Sequence, residues 1–141
     1  MNKQQGAGLI EVLVTVLILG TSLLALAALQ SKSLHYNHSA YLRSQANILA
    51  YDILDRVRIN RANIAGYNLA VGDAKPTGST LAQQDLNQWL TNLETLLPGA
   101  DGGVECVPAT RFCTVTIQWA EQNSSGDASE DDSEFVYTTR L

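Results

Sequence analysis

Residues Val12 to Leu29 read VLVTVLILGTSLLALAAL, 18 consecutive residues without a charge and nearly all apolar. At about 1.5 Å of rise per residue, a helix of that length is about 27 Å long, close to the hydrocarbon thickness of a bilayer. Charge stops at Glu11 and resumes only at Lys32, which is one reason charged residues are 16 % of the chain. Lys3 is the only charge ahead of Glu11. The positive-inside tendency puts the N-terminus in the cytoplasm and the rest of the chain outside. Outside this segment about 80–110 residues remain, enough for one small core.

Three kinds of N-terminus carry such a run. A secretory signal peptide would be cut after Ala25-Leu26-Ala27, but the run exceeds the usual 7–15 residues and a carboxylate stands at its entrance. A plain single-pass anchor leaves Glu11 unexplained, because a carboxylate at the edge of hydrocarbon is costly without a partner. The third uses every feature. Gln5-Gly6-Ala7-Gly8-Leu9-Ile10-Glu11 followed by the apolar run resembles the class III leader of type IV prepilins. That resemblance implies a leader of residues 1–6, a prepilin peptidase cut between Gly6 and Ala7, and methylation of the new Ala7 amine. The mature chain would keep 135 residues, with Glu11 fifth. The α-amine is cationic near neutral pH, so a neighbouring subunit's Glu11 can pair with it and set axial register as helices bundle. Ala7 stands where the family usually has Phe, Gly8 where a hydroxyl residue is common, and Ala28 where major pilins tend to have proline; Gly20 matches.

No proline occurs before Pro76. The apolar run passes directly into Leu34, Tyr41, Leu42, Ile48, Leu49, Ile53 and Val57, spaced three to four apart as one helical stripe. One helix of about 50 residues is expected, ending between Asn60 and Gly66, where helix-stopping residues gather. Residues 7–30 form its membrane and filament-core half, and residues 31–62 its amphipathic half. Asp52 and Arg56 make an i,i+4 pair. His35 and His38 are spaced to share a metal, but no carboxylate or cysteine follows nearby in sequence, and the expectation is two solvated histidines with no metal.

Residues 63–141 read as a periplasmic globular domain. Ala65–Thr80 is a loop. Thr80 and Gln83 form a capping box that opens a helix over 80–97, with Leu86, Trp89, Leu90, Leu93 and Leu97 on one face, stopped by Pro98-Gly99. Strand patterns follow at Val104–Val107, Phe112–Trp119 and Phe135–Leu141, expected as a small antiparallel sheet against the helix. The predicted fold class is α+β and type IV pilin-like. Gln122–Glu134 reads as an acidic, solvated loop. A calcium loop from Asp127 would need Gly and Glu where Asp132 and Thr138 stand. Cys106 and Cys113 are the only cysteines. Outside the cytoplasm they would close a disulfide across the intervening loop; the alternative is two buried thiols.

The net charge of −5 argues against direct nucleic-acid binding, which needs clustered cations. The common cofactor and nucleophile fingerprints are absent, so no catalytic residue and no cofactor are assigned. Ile48–Arg61, Trp89–Gly99, Cys113–Trp119 and Tyr137–Leu141 look like the PilV family of minor pilins, the type IV pilus modification proteins. This resemblance implies a structural subunit of the minor-pilin complex that primes pilus assembly at or near the tip, and roles in twitching motility and adhesion. The implied partners are the prepilin peptidase, other minor pilins, the major pilin, a tip adhesin and the inner membrane. The implied location is the inner membrane with the C-terminal domain in the periplasm, then the fibre. The alternatives are a minor pseudopilin of type II secretion and a signal-anchored periplasmic binding protein.

Overall fold

The computed structural model describes residues 8–121 and 132–141. Gly6, Ala7 and most of the acidic connector, including Asp127, Glu130 and Asp131, lie outside the described residues. The elements are a helix α1 (Leu9–Ile59), a 3-10 segment (Arg61–Tyr67), a helix α2 (Leu81–Leu96), and strands β1 (Asp101–Val107), β2 (Phe112–Ala120) and β3 (Asp132–Arg140). The strands form one antiparallel sheet in the order β1-β2-β3. The architecture is the expected α+β one, a long N-terminal helix with a small antiparallel sheet. The chain divides into two compact units, Met1–His38 and Ser39–Leu141.

In the first unit, α1 is apolar on nearly every side from Val12 to Leu29. Its hydroxyls bond back to its own carbonyls: Thr15 Oγ1 to Val12 O at 2.8 Å, Thr21 Oγ1 to Ile18 O at 3.0 Å, and Ser22 Oγ to Ile18 O at 2.8 Å. A segment that must satisfy its polar groups internally is suited to hydrocarbon.

In the second unit, α1 buries Leu42, Ala46, Leu49, Ala50, Ile53, Leu54 and Val57. This corrects the sequence-based stripe: Tyr41 and Ile48 are 54 % and 57 % exposed, and in the first unit Leu34 is exposed too. Positions 41 and 48 form a row about 100° around the helix from Leu42 and Leu49. The buried face instead runs through two alanines, whose small side chains allow close approach. There the Trp89 indole Nε1 donates to Leu49 O at 2.9 Å, which satisfies the one polar atom of a fully buried tryptophan.

Helix α2 starts on the expected capping box of Thr80 and Gln83 and buries Ala82, Leu86, Trp89, Leu90 and Leu93. After Leu97, the turn at Pro98-Gly99 uses a glycine with φ +58°. Strand β1 begins at Asp101, three residues before the expected Val104. Gly102 and Gly103 lie in the added part of the strand and pair with Ile117 and Thr116. A Cβ on Gly102 would lie 2.6 Å from Leu93 Cδ1 and from Trp89 Cη2, so α2 packs where β1 has no side chain. Strand β2 runs one residue past the expected Trp119, and β3 starts three residues before the expected Phe135.

Cys106 and Cys113 are paired across β1 and β2 and joined by a disulfide, with a Cα–Cα distance of 4.1 Å. The Cys106 N–H points away from β2, donating to Asn68 Oδ1 at 2.7 Å. The cysteines therefore occupy a non-hydrogen-bonded pair, where side chains come closest. The outer edge of β1 is covered: Leu69 and Val104 exchange backbone bonds of 2.9 and 2.8 Å.

Candidate functional site

The feature with the clearest chemistry is the start of α1. Glu11 lies in the first turn, where a carboxylate opposes the partial positive charge of the helix N-terminus. Its N–H donates to Gly8 O at 2.9 Å. The side chain is exposed and stands at the border of the uncharged run. Beyond it, thirteen large apolar side chains from Leu9 to Leu29 are exposed, Leu9 at 81 % and Leu24 at 73 %. At about 1.5–3 kcal/mol for each side chain covered, removing them from water is worth on the order of 20–40 kcal/mol. Such a surface has to be covered by lipid or by other apolar helices. A carboxylate at its end can then bind a cation offered at the same level by a neighbour.

In the second unit the polar groups are structural. Arg56 bonds Asp52 at 3.1 Å, Asp85 at 3.4 Å and Gln88 Oε1 at 3.0 Å. The expected Asp52–Arg56 pair is thus one part of a network tying α1 to α2. The Tyr67 hydroxyl donates to Asp85 Oδ2 at 2.6 Å, and Asn60 Nδ2 donates to Tyr67 OH at 3.2 Å. Burial, followed by the bond to Asp85, pushes the Tyr67 hydroxyl up to about 12. Glu121, the residue just before the acidic Gln122–Glu134 stretch, is buried at 5 % exposure and accepts from Ser133 Oγ at 2.7 Å. Burial pushes its carboxyl up, but hydrogen bonds from Ser39 and Ser133 and the charge of Arg43 outweigh that and hold it below the ordinary carboxylate value.

His35 is half-buried and His38 exposed. No group of three or more His, Cys, Asp or Glu that could hold a metal ion occurs among the described residues. An open groove of about 480 Å³ runs between the 3-10 segment and the start of α2, lined by Asn60, Asn63, Thr80, Leu81 and Pro108 among others. Its lining holds no titratable side chain, so it offers no acid, base or activated nucleophile. Sequence reasoning missed three determinants: Gly102 as a packing position, Ala46 and Ala50 as the contact face, and Glu121 as a buried ion. The i,i+4 alanine pair was the one available signal.

Residues 1–27 match the model of the prokaryotic N-terminal methylation motif. No curated protein and no solved structure matches the chain.

Proposed function

We propose, from the methylation motif, that this is a type IV pilin-like or pseudopilin-like protein, of a structural class processed by a prepilin peptidase and assembled with other pilins. From this we propose that the chain is a minor pilin of the PilV kind, a subunit of the complex that primes type IV pilus assembly at the tip and supports twitching motility and adhesion. The observation that carries the reading is Glu11 at the mouth of the uncharged stretch of α1, within the matched motif. Prepilin peptidase cuts between Gly6 and Ala7 and methylates Ala7. The chain rests in the inner membrane through α1, with the unit from Ser39 onward in the periplasm. During assembly the Glu11 carboxylate accepts the charged Ala7 amine of a neighbour. Each charge offsets the other's burial cost, and the pair fixes axial register, because a slip of one helical turn (about 5.4 Å) would leave both unpaired. Priming then passes to the major pilin, and a tip adhesin is displayed by the assembled complex.

The intact mass and N-terminal peptide of the protein taken from its native membrane test this reading. A chain beginning at Ala7 supports it, and a chain beginning near Ala28 or at Met1 overturns it. Glu11→Lys and Glu11→Gln should be processed and membrane-resident yet depleted from sheared pili, Lys more than Gln. Normal incorporation of Glu11→Lys would refute the pairing. The minor pseudopilins of type II secretion share this N-terminus, and co-purification with pilus subunits or with secretion subunits separates the two.

A further inference from the structure

The chain has five tyrosines, at positions 36, 41, 51, 67 and 137. Among the described residues only two of their rings meet. Tyr51 lies on the part of α1 that belongs to the second unit, and Tyr137 lies in the middle of β3. Their ring centroids are 5.1 Å apart, with the planes tilted by 51°. The Tyr51 hydroxyl donates to the Tyr137 hydroxyl at 3.2 Å, and that bond pushes the Tyr51 hydroxyl above its ordinary value. Tyr67, by contrast, is fully buried with its hydroxyl on Asp85.

Three features make this pair chemically distinct. It is open to solvent, since Tyr51 is 46 % exposed and Tyr137 is only half-buried. Joined at their hydroxyls, the rings hold the carbons ortho to those hydroxyls close together, and these carbons carry much of the unpaired spin of a phenoxyl radical. The chain also lacks a competing thiol. Cys106 and Cys113 are its only cysteines and are joined to each other, and its one methionine is Met1. The pair also spans the core. The disulfide closes a sequence separation of 7, whereas a bond between the two tyrosines would close one of 86 and enclose the end of α1, all of α2, β1 and β2. A crosslink over the longer loop removes more entropy from the unfolded chain.

We propose that Tyr51 and Tyr137 form an oxidative modification site, at which a haem peroxidase with hydrogen peroxide fastens α1 to the sheet as a dityrosine. Each phenol gives one electron to the oxidised haem and one proton to water. The two phenoxyl radicals couple through their ortho carbons, forming one Cε–Cε bond. The hydrogen on each of those carbons then moves as a proton to its own ring oxygen, which restores both aromatic rings. The peroxide takes up two electrons and two protons and leaves as two waters. The product is lighter by two hydrogens. This site does not rest on the pilin reading, because both tyrosines and everything the bond encloses lie in the second unit.

Brief treatment of the full-length chain in detergent with haem peroxidase and hydrogen peroxide tests the site. After the disulfide is reduced, trypsin should release Ser44–Arg56 joined to Phe112–Arg140, lighter than their sum by two hydrogens and derived from single chains. Tyr51→Phe and Tyr137→Phe should each lower this product at least tenfold. Before oxidation their Tm should stay within about 2 °C of the parent, since each loses one exposed hydrogen bond. Tyr41→Phe should retain the product. The joined chain should melt at least about 5 °C above the unjoined one. In the native host, a peroxide challenge should raise the joined fraction. The proposal would be overturned by a product that links separate chains through Tyr36 or Tyr41 in place of the pair, by an undiminished yield from either phenylalanine variant, by an unchanged Tm after joining, or by no rise in the challenged cells.

Discussion

Gly102→Ala probes the closest packing in the second unit. The new methyl would sit 2.6 Å from Leu93 Cδ1, 2.6 Å from Trp89 Cη2 and 2.9 Å from Trp89 Cζ3. Carbon atoms prefer about 3.5–4.0 Å, so the overlap is about 1 Å on two sides. Neither neighbour can swing aside, since Trp89 and Leu93 are both 0 % exposed and the indole is held by its bond to Leu49 O. The relief available is a shift of α2 away from β1, at a typical overpacking cost of about 1–3 kcal/mol. Replacing a strand glycine returns about 0.5–1 kcal/mol of backbone entropy. The net expectation is a loss of about 1–2 kcal/mol, or roughly 4–10 °C in Tm for a unit of this size. Tryptophan fluorescence of the detergent-solubilised chain is the suitable assay, because Trp89 and Trp119 both report on the buried core while α1 stays helical in the micelle. Gly20→Ala, with nothing within 4 Å of its Cβ, should leave this transition unchanged. A Gly102→Ala protein as stable as the parent would refute the close approach of α2 to β1.

Replacing both Cys106 and Cys113 with serine should lower stability by about 2–3 kcal/mol, the loop entropy released when a crosslink of sequence separation 7 is lost; denaturant titration with and without reductant measures it. Because the Tyr67 hydroxyl is pushed from 10.0 to about 12, its contribution is complete below pH 10 and lost as pH rises through 12. The parent should therefore lose up to about 2–3 kcal/mol across that window, and a Tyr67→Phe protein showing the same alkaline loss would exclude this hydroxyl as the cause. Thr80→Ala removes the side chain that accepts from the Gln83 N–H and should cost about 1 kcal/mol, seen as a lower denaturation midpoint with an unchanged slope.

The elements written in local chemistry were legible in the sequence. The uncharged run with Glu11 at its mouth, the capping box at Thr80 and Gln83, the Pro98-Gly99 stop, and the alternation of Cys113, Val115, Ile117 and Trp119 each depend on neighbours within a few positions. What required the tertiary structure depends on residues distant in the chain. Gly102 and Gly103 carry turn propensity, yet they lie in β1, where Trp89 and Leu93 occupy the space a Cβ on Gly102 would need and Val71 the space of one on Gly103. The apolar face of α1 could not be assigned from periodicity, since Tyr41 and Ile48 suit a stripe as well as Ala46 and Ala50 do. Only the approach of α2 and the sheet selects the face with the smaller residues. Glu121 belongs by sequence to an acidic stretch, but Ser39 and Arg43 on α1 and Ser133 on β3 surround it and make burial of its charge tolerable. Backbone propensity and hydrophobic periodicity are short-range and survive in one dimension. Steric fit and the solvation of a charge are set by whatever the fold brings alongside.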